Sequence, residues 1–227
     1  MTPYLHAAWL PDESLVDEYE KLVGEVPGVV RTAAYRSAEK SEAMQTLAKD
    51  LSRLDIPGLR ERPAKAWVLA ELESLNAGAE VAGLLGEPDA TSAHPIAGEI
   101  LTQVLLHEIN DVPGPLSGDG EFAPAHQFGV YGLNSVNAEW RLHVWYERHR
   151  LVEVATMPGM IRTRRYAVVA GPARCGILYE FPSVEARLEG FEAESEAKGL
   201  DPNHHNAPLR EYTVHAPGAP FIGSRIR

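Results

Sequence analysis

A ten-residue pattern occurs twice in this chain, and it limits the possible folds more than any other feature. The first copy reads Val26-Pro27-Gly28-Val29-Val30-Arg31-Thr32-Ala33-Ala34-Tyr35, and the second reads Met157-Pro158-Gly159-Met160-Ile161-Arg162-Thr163-Arg164-Arg165-Tyr166. Pro, Gly, Arg, Thr and Tyr recur in register. Each copy follows an amphipathic helical stretch and leads into a strand-like run. A second match lies downstream in the same order. Ala64 to Ser74 and Ala173 to Ser183 are both apolar strands that end in a Glu and a Ser-containing turn. Internal periodicity of this kind is the signature of repeated architecture, so two related halves are expected.

The local patterns give each half the order β-α-β-β-α-β. In the first half, a strand over Tyr4 to Trp9 precedes a helix over 15–25, with Leu15, Tyr19, Leu22 and Val23 at helical spacing. Pro27-Gly28 stops that helix. Strands over 29–36, 66–72 and 100–107 follow, with a short helix around 77–85. The first half also carries an insertion near 39–62, read as one helix over 39–55 that ends at Pro57-Gly58. In the second half, strands are expected over 128–133, 160–169, 175–181 and 210–215, with helices over 138–154 and 184–198. Pro113-Gly114-Pro115 and the Ser-Gly-Asp-Gly run at 117–120 mark a linker. The expected organisation is a first repeat over 1–112, a linker over 113–125 and a second repeat over 126–227.

This order is the split-βαβ, or ferredoxin-like, unit of an α+β protein. Its sheet carries helices on one face only, which leaves the other face to be covered. Two tandem units packed sheet to sheet cover both faces within one chain, as an intramolecular α/β barrel.

Composition narrows the function. The formal net charge is -11 and no Lys/Arg cluster interrupts it. Nucleic acid and anionic membranes both need a basic footprint, so neither is an expected partner. Cys175 is the sole cysteine, which rules out an intrachain disulfide and a cysteine-rich metal site. It sits mid-strand and reads as a small buried hydrophobe. The N-terminus lacks the pattern of a signal peptide and no run reaches the length of a membrane span, so a cytoplasmic location is expected.

The densest chemical signal is Trp140 to His149. At helical spacing, Leu142, Trp145, Tyr146 and His149 share one stripe. A histidine beside two aromatics can act as general acid or base, or can simply bond a backbone carbonyl. The repeat adds an asymmetry. Nine residues before Pro158 stands His149; nine before Pro27 stands Glu18. Arg165 is expected to face inward and hold a carboxylate or enolate, the alternative being a solvated strand arginine. Tyr131 and Tyr179 can line a pocket, and His107 and His215 end the fourth strand of each half. The loop from Asp201 to Asn206 holds adjacent histidines, His204 and His205, and reads as a polar turn. No metal site is expected.

Trp145-Tyr146-x-x-His149, then Met157-Pro158-Gly159, Arg164-Arg165-Tyr166 and Ile177-Leu178-Tyr179-Glu180 resemble the EthD-like branch of the dimeric α/β-barrel superfamily. The resemblance covers about residues 128–215, and reaches 4–107 only through the repeat. It implies two ferredoxin-like units forming a barrel, with a pocket between sheets and helices. It also implies action on small aromatic or polyketide-like molecules as cyclases, isomerases or cofactor-free oxygenases. The family histidine falls on His149; the proline that often follows it by two residues is here Leu151.

The expected function is therefore a cofactor-independent enzyme acting on a small, mainly apolar carbonyl compound by isomerase-, cyclase- or lyase-type proton transfer. His149 and Arg165 are the expected catalytic residues, and Trp145, Tyr146, Tyr131, Tyr179 and His215 the substrate-binding ones. Two other readings stay open: a haem-binding tandem barrel, with His149, His107 or His215 as ligand, and a non-catalytic small-ligand module. The resemblance leaves room for a homodimer.

Overall fold

The computed structural model describes residues 3–85, 94–118, 120–196 and 212–226. Its frame is a closed antiparallel barrel. The first half contributes β1 (Tyr4–Leu10), β2 (Val29–Ser37), β3 (Ala66–Leu72) and β4 (Thr102–Pro113). The second contributes β5 (Ala125–Leu133), β6 (Arg162–Ala170), β7 (Cys175–Phe181), β8 (Thr213–His215) and β9 (Phe221–Arg225). Within the first half the order is β4-β1-β3-β2; within the second, β5 lies between β7 and the pair β8 and β9, and β7 pairs with β6. The halves are joined by β4 against β6 and by β2 against β9. Eight strands thus close on themselves, and closure leaves no edge along those strands.

Residues of alternate parity divide between two layers, as a period of two requires. Trp9, Tyr35, Trp67, Leu106, Phe128, Tyr166, Leu178 and Phe221 fill the barrel interior. The opposite faces of β1 to β3 pack against α1 (Val16–Gly24) and α4 (Leu75–Leu85). The opposite faces of β5 and β7 pack under α5 (Val136–Trp145), α6 (Leu151–Val154) and α7 (Val184–Ala186). A π-helical turn over Tyr146–Arg150 joins α5 to α6, and α7 continues as a π-helix over Arg187–Glu196. The barrel is a packed core rather than an open channel. Trp9 stacks on Phe128 at 5.6 Å, and Trp67 Nε1 donates to His126 Nε2 at 2.6 Å.

Both Pro-Gly turns do what their sequence requires. Gly28 has φ 86° and Gly159 φ 78°, in the left-handed region that favours glycine after a helix. Three expectations need correction. The insertion is two helices, α2 (Glu42–Asp50) and α3 (Pro57–Glu61), and Pro57 opens the second instead of ending the first. Proline suits the first helical turn because its missing N–H would be unpaired there anyway. Strand β4 runs six residues past His107, to Pro113, into the expected linker. Pairing with β6 holds it there, with Pro113 opposite Arg162. The last strand is two pieces, β8 and β9, lying along the same edge of β5. The loop from Asp201 to Ala207 lies outside the described residues. Among the described residues no helix is long and apolar enough to cross a membrane.

Candidate functional site

Two polar constellations stand out. The first lies at one end of the barrel interior and is built by residues that recur in both copies of the sequence pattern. Arg31 on β2 is directly opposite Glu71 on β3, and Arg162 on β6 is directly opposite Glu180 on β7. These are the recurring Arg and Glu of the two halves. Arg31 meets Glu71 at 2.7 Å, and Arg162 pairs with Glu180. Arg164 joins the two pairs, with Nη1 2.7 Å from Glu71 and Nε 3.1 Å from Glu180. Burial alone would push the Glu180 carboxyl up, but Arg164 and Arg162 outweigh it and hold it below its usual range. The guanidiniums of Arg31 and Arg162 also bond the Gly120 carbonyl, and Arg31 and Arg164 flank the Phe122 ring. The segment between the halves is thereby pinned over the barrel end. A cavity of about 810 Å³ remains there, lined by these arginines, Glu108 and Asp111 among others.

A bulge in β4 between Glu108 and Asn110 turns both acids toward this cavity, since Glu108 faces Tyr166 and Asp111 faces Arg164 in register. Burial pushes the Glu108 carboxyl up to about 7, Arg164 and Arg162 pulling the other way and Asp111 adding to the rise. A carboxyl whose folded value exceeds its unfolded one stabilises the fold fully below about 4.5, and that contribution is lost as pH rises toward 7. Glu108→Gln is therefore expected to match the parent near pH 4 and to melt at higher temperature above pH 7. Parallel melting curves across that range would remove Glu108 as the cause.

The second constellation lies between the second half's sheet and its helices, where the sequence places its site. Tyr131 on β5 donates to the Tyr146 hydroxyl at 3.1 Å, and burial pushes both phenols up. Arg165 lies 5.0 Å over the Tyr146 ring and bonds His143 Nδ1 through Nη2 at 2.8 Å. Tyr179 accepts from Arg150 Nε at 3.1 Å, and Trp145 stands edge-on to Tyr146 at 4.9 Å. His215 is at the margin, 5.8 Å from the Tyr131 ring, with Nε2 2.9 Å from the Thr213 hydroxyl. Burial, and then Arg53, lower its pKa to about 4.

Two placements differ from the sequence reading. His149 is exposed, while Leu142, Tyr146 and Arg150 are buried. The helix turns as a π-helix over Tyr146–Arg150, which adds a residue to that turn and seats Arg150 where regular spacing put His149. Arg165 faces the helices, not the barrel interior, and its neighbour Arg164 takes the interior place. A strand sends adjacent side chains to opposite faces, so its register decides between the two. His143 lies inside the aromatic-rich segment, and its four-residue spacing to Glu139 and Glu147 is the sequence signal of its place. Burial, and then Arg165, lower the His143 pKa.

Cofactor donors can be tested on these positions. His149, His107 and His215 are absent from the lining of the barrel-end cavity, and His107 instead packs on Tyr4 at 5.0 Å. Those histidines do not fit a haem there. Glu139, His143 and Cys175 bring donor atoms within 4.8 Å of one another. However, Arg174 already sits 3.3 Å from Glu139 and Arg165 2.8 Å from His143, so guanidiniums occupy the positions a cation would need.

The comparisons with known proteins bear on the fold. The chain superposes on an anthrone oxidase-like protein with a TM-score of 0.63 at 11% identity, covering 99% of this chain and 90% of that one. The fold is the dimeric α/β barrel. A chlorite dismutase from Candidatus Nitrospira defluvii in complex with imidazole gives a TM-score of 0.51 at 12% identity, with 99% and 90% covered. A major regulator of staphylococcal pathogenesis gives 0.50 at 10% identity, with 98% and 97% covered. No family model and no curated protein sequence matches the chain.

Proposed function

We propose that this chain is a tandem, EthD-like α/β barrel that catalyses proton transfer on a small, mainly apolar carbonyl compound without a cofactor, in the second-half site. Duplication of one ferredoxin-like unit, over 1–112 and 126–227, accounts for the shared strand order and the recurring Arg–Glu pairs. One observation carries the reading: a buried arginine bonds a histidine, whose pKa burial lowers, and lies over the ring of Tyr146, the partner of the Tyr131 hydroxyl. Arginine is always a donor, so Nδ1 of His143 is the acceptor and Nε2 carries the proton. A neutral imidazole in this state polarises a carbonyl oxygen through Nε2–H as negative charge develops there. The Arg165 guanidinium stabilises that charge from behind. Glu139, whose carboxylate is within 4.8 Å of a donor atom of His143, takes the proton released from the adjacent carbon. The electron pair of the broken C–H bond then moves into the carbonyl, giving the enolate that isomerisation, cyclisation or elimination consumes. Tyr131, Tyr146, Trp145, Tyr179 and His215 are the substrate-binding residues of this reading. A homodimer is compatible with this site, which is built from one chain.

The test requires no knowledge of the product. Aromatic and polyketide-like ketones are incubated with protein in D2O, and deuterium uptake next to the carbonyl is followed by NMR. Exchange is expected with the parent and should fall about 100-fold in His143→Gln. The exposed His149 should tolerate Ala within about threefold, because a solvated side chain contributes little to a buried transition state. A 100-fold loss in His149→Ala with unchanged exchange in His143→Gln would return the role to His149.

A further inference from the structure

The chemistry of Arg165 extends beyond its histidine. Its side chain is 6% exposed, yet neither Nε nor Nη1 has a hydrogen-bond acceptor. A buried guanidinium with unmatched donors is costly, since desolvation is offset only when its hydrogens find oxygens. The nearest carboxylate is Glu147 on the π-helical turn, with Oε1 3.6 Å from Nη1, beyond hydrogen-bond reach. The Glu147 side chain is 55% exposed. The cation is therefore balanced loosely, from the solvent side, by a group that gives up little on moving away. Tyr146 lies under the guanidinium, and half-exposed Trp145 stands beside Tyr146.

We infer that Arg165 is the seat for the carboxylate of a small aromatic acid, and that Glu147 is a displaceable counter-ion holding that seat. The ligand's oxygens take the unmatched guanidinium hydrogens, and its ring lies against Tyr146 and Trp145. Rim and seat thus select a planar anion over its neutral isostere. The inference rests on the second-half site proposed above and names the substrate class for it: a carbonyl compound that also carries a carboxylate.

Binding of benzoate and of neutral benzamide is measured by calorimetry on the intact protein, with inorganic sulfate as a non-aromatic anion. Benzoate is expected to bind at least tenfold more tightly than benzamide and than sulfate. Arg165→Gln should abolish the preference for benzoate, and Arg165→Lys should restore only part of it, because lysine lacks the planar fork. Glu147→Gln should tighten benzoate about three- to tenfold by removing the competing carboxylate. Equal affinity for benzoate and benzamide overturns the seat. Unchanged benzoate affinity in Glu147→Gln overturns the counter-ion role, and does so even when Arg165→Gln fails to fold. The enzymatic reading fails separately. Benzoate selectivity without deuterium exchange on any ketone leaves the seat and removes the enzyme, whereas exchange on neutral ketones without benzoate selectivity does the reverse.

Discussion

Arg164→Met is expected to destabilise the protein by about 3–5 kcal/mol, the usual cost of removing one partner from a buried ion network. Arg164 is buried and bonds both Glu71 and Glu180, which are themselves buried. Burial opposes its charge, but Glu180 and Glu71 more than compensate and hold it ionised. Without it, two carboxylates share only the outer arginines. Arg31→Met is the control. The Arg31 side chain is 35% exposed, so solvent screens its pair with Glu71 and the loss should stay near 1 kcal/mol. Denaturant unfolding reads both, as a shift in midpoint at constant slope. Adding Glu71→Gln and Glu180→Gln to Arg164→Met should recover part of the loss, because no uncompensated charge is then left buried. Equal costs for Arg164→Met and Arg31→Met would show that the network is not centred on Arg164.

Trp67→Ala is expected to cost a similar amount, about 3–5 kcal/mol, by a different route. Trp67 is fully buried where the halves meet, with the Tyr35 ring at 6.5 Å and the Phe221 ring at 5.8 Å. Gly223 faces it so closely that an added Cβ would lie 2.4 Å from Trp67 Cζ2, so the glycine and the indole are sized to each other. Truncation leaves a cavity that β2, β3 and β9 cannot close without breaking their pairing. The indole also donates to His126, whose pKa burial lowers to about 3. Trp67→Phe keeps most of the volume and removes the donor, which should cost about 1–3 kcal/mol. His126 contributes stability fully above its unfolded value near 6.5, and that stability is lost as pH falls toward 3. A loss below 1 kcal/mol in Trp67→Ala would mean that the barrel interior repacks freely.

Local chemistry made much of this molecule readable before folding. The Pro-Gly turns at 27–28 and 158–159 end their helices because only glycine sits easily at the positive φ found there. Strand β7 falls where the apolar run from Cys175 to Phe181 predicts it. The order of elements implied a sheet face that had to be covered, and the barrel covers it. The aromatic cluster around Tyr146 was legible as well, since helical spacing put Leu142 and Tyr146 on one face.

Tertiary structure decided the rest, and always where two outcomes had equal local cost. Arg164 and Arg165 are neighbours of one residue type on one strand, so only its register against β4 and β7 sends the first to the ion network and the second to the helices. His149 and Arg150 differ by one position, and one π-helical turn exchanges which of them is buried. Strand β4 outran its sequence pattern because β6 supplied partners for its backbone as far as Pro113. The recurrence of Arg31 with Arg162 and of Glu71 with Glu180 was visible as four letters. That they form two cross-strand pairs, locked by one further arginine, follows only from closing the sheet. Sequence fixes which side chains are available at short range, whereas a charge network or a site depends on residues far apart in the chain, whose meeting is set by long-range strand pairing.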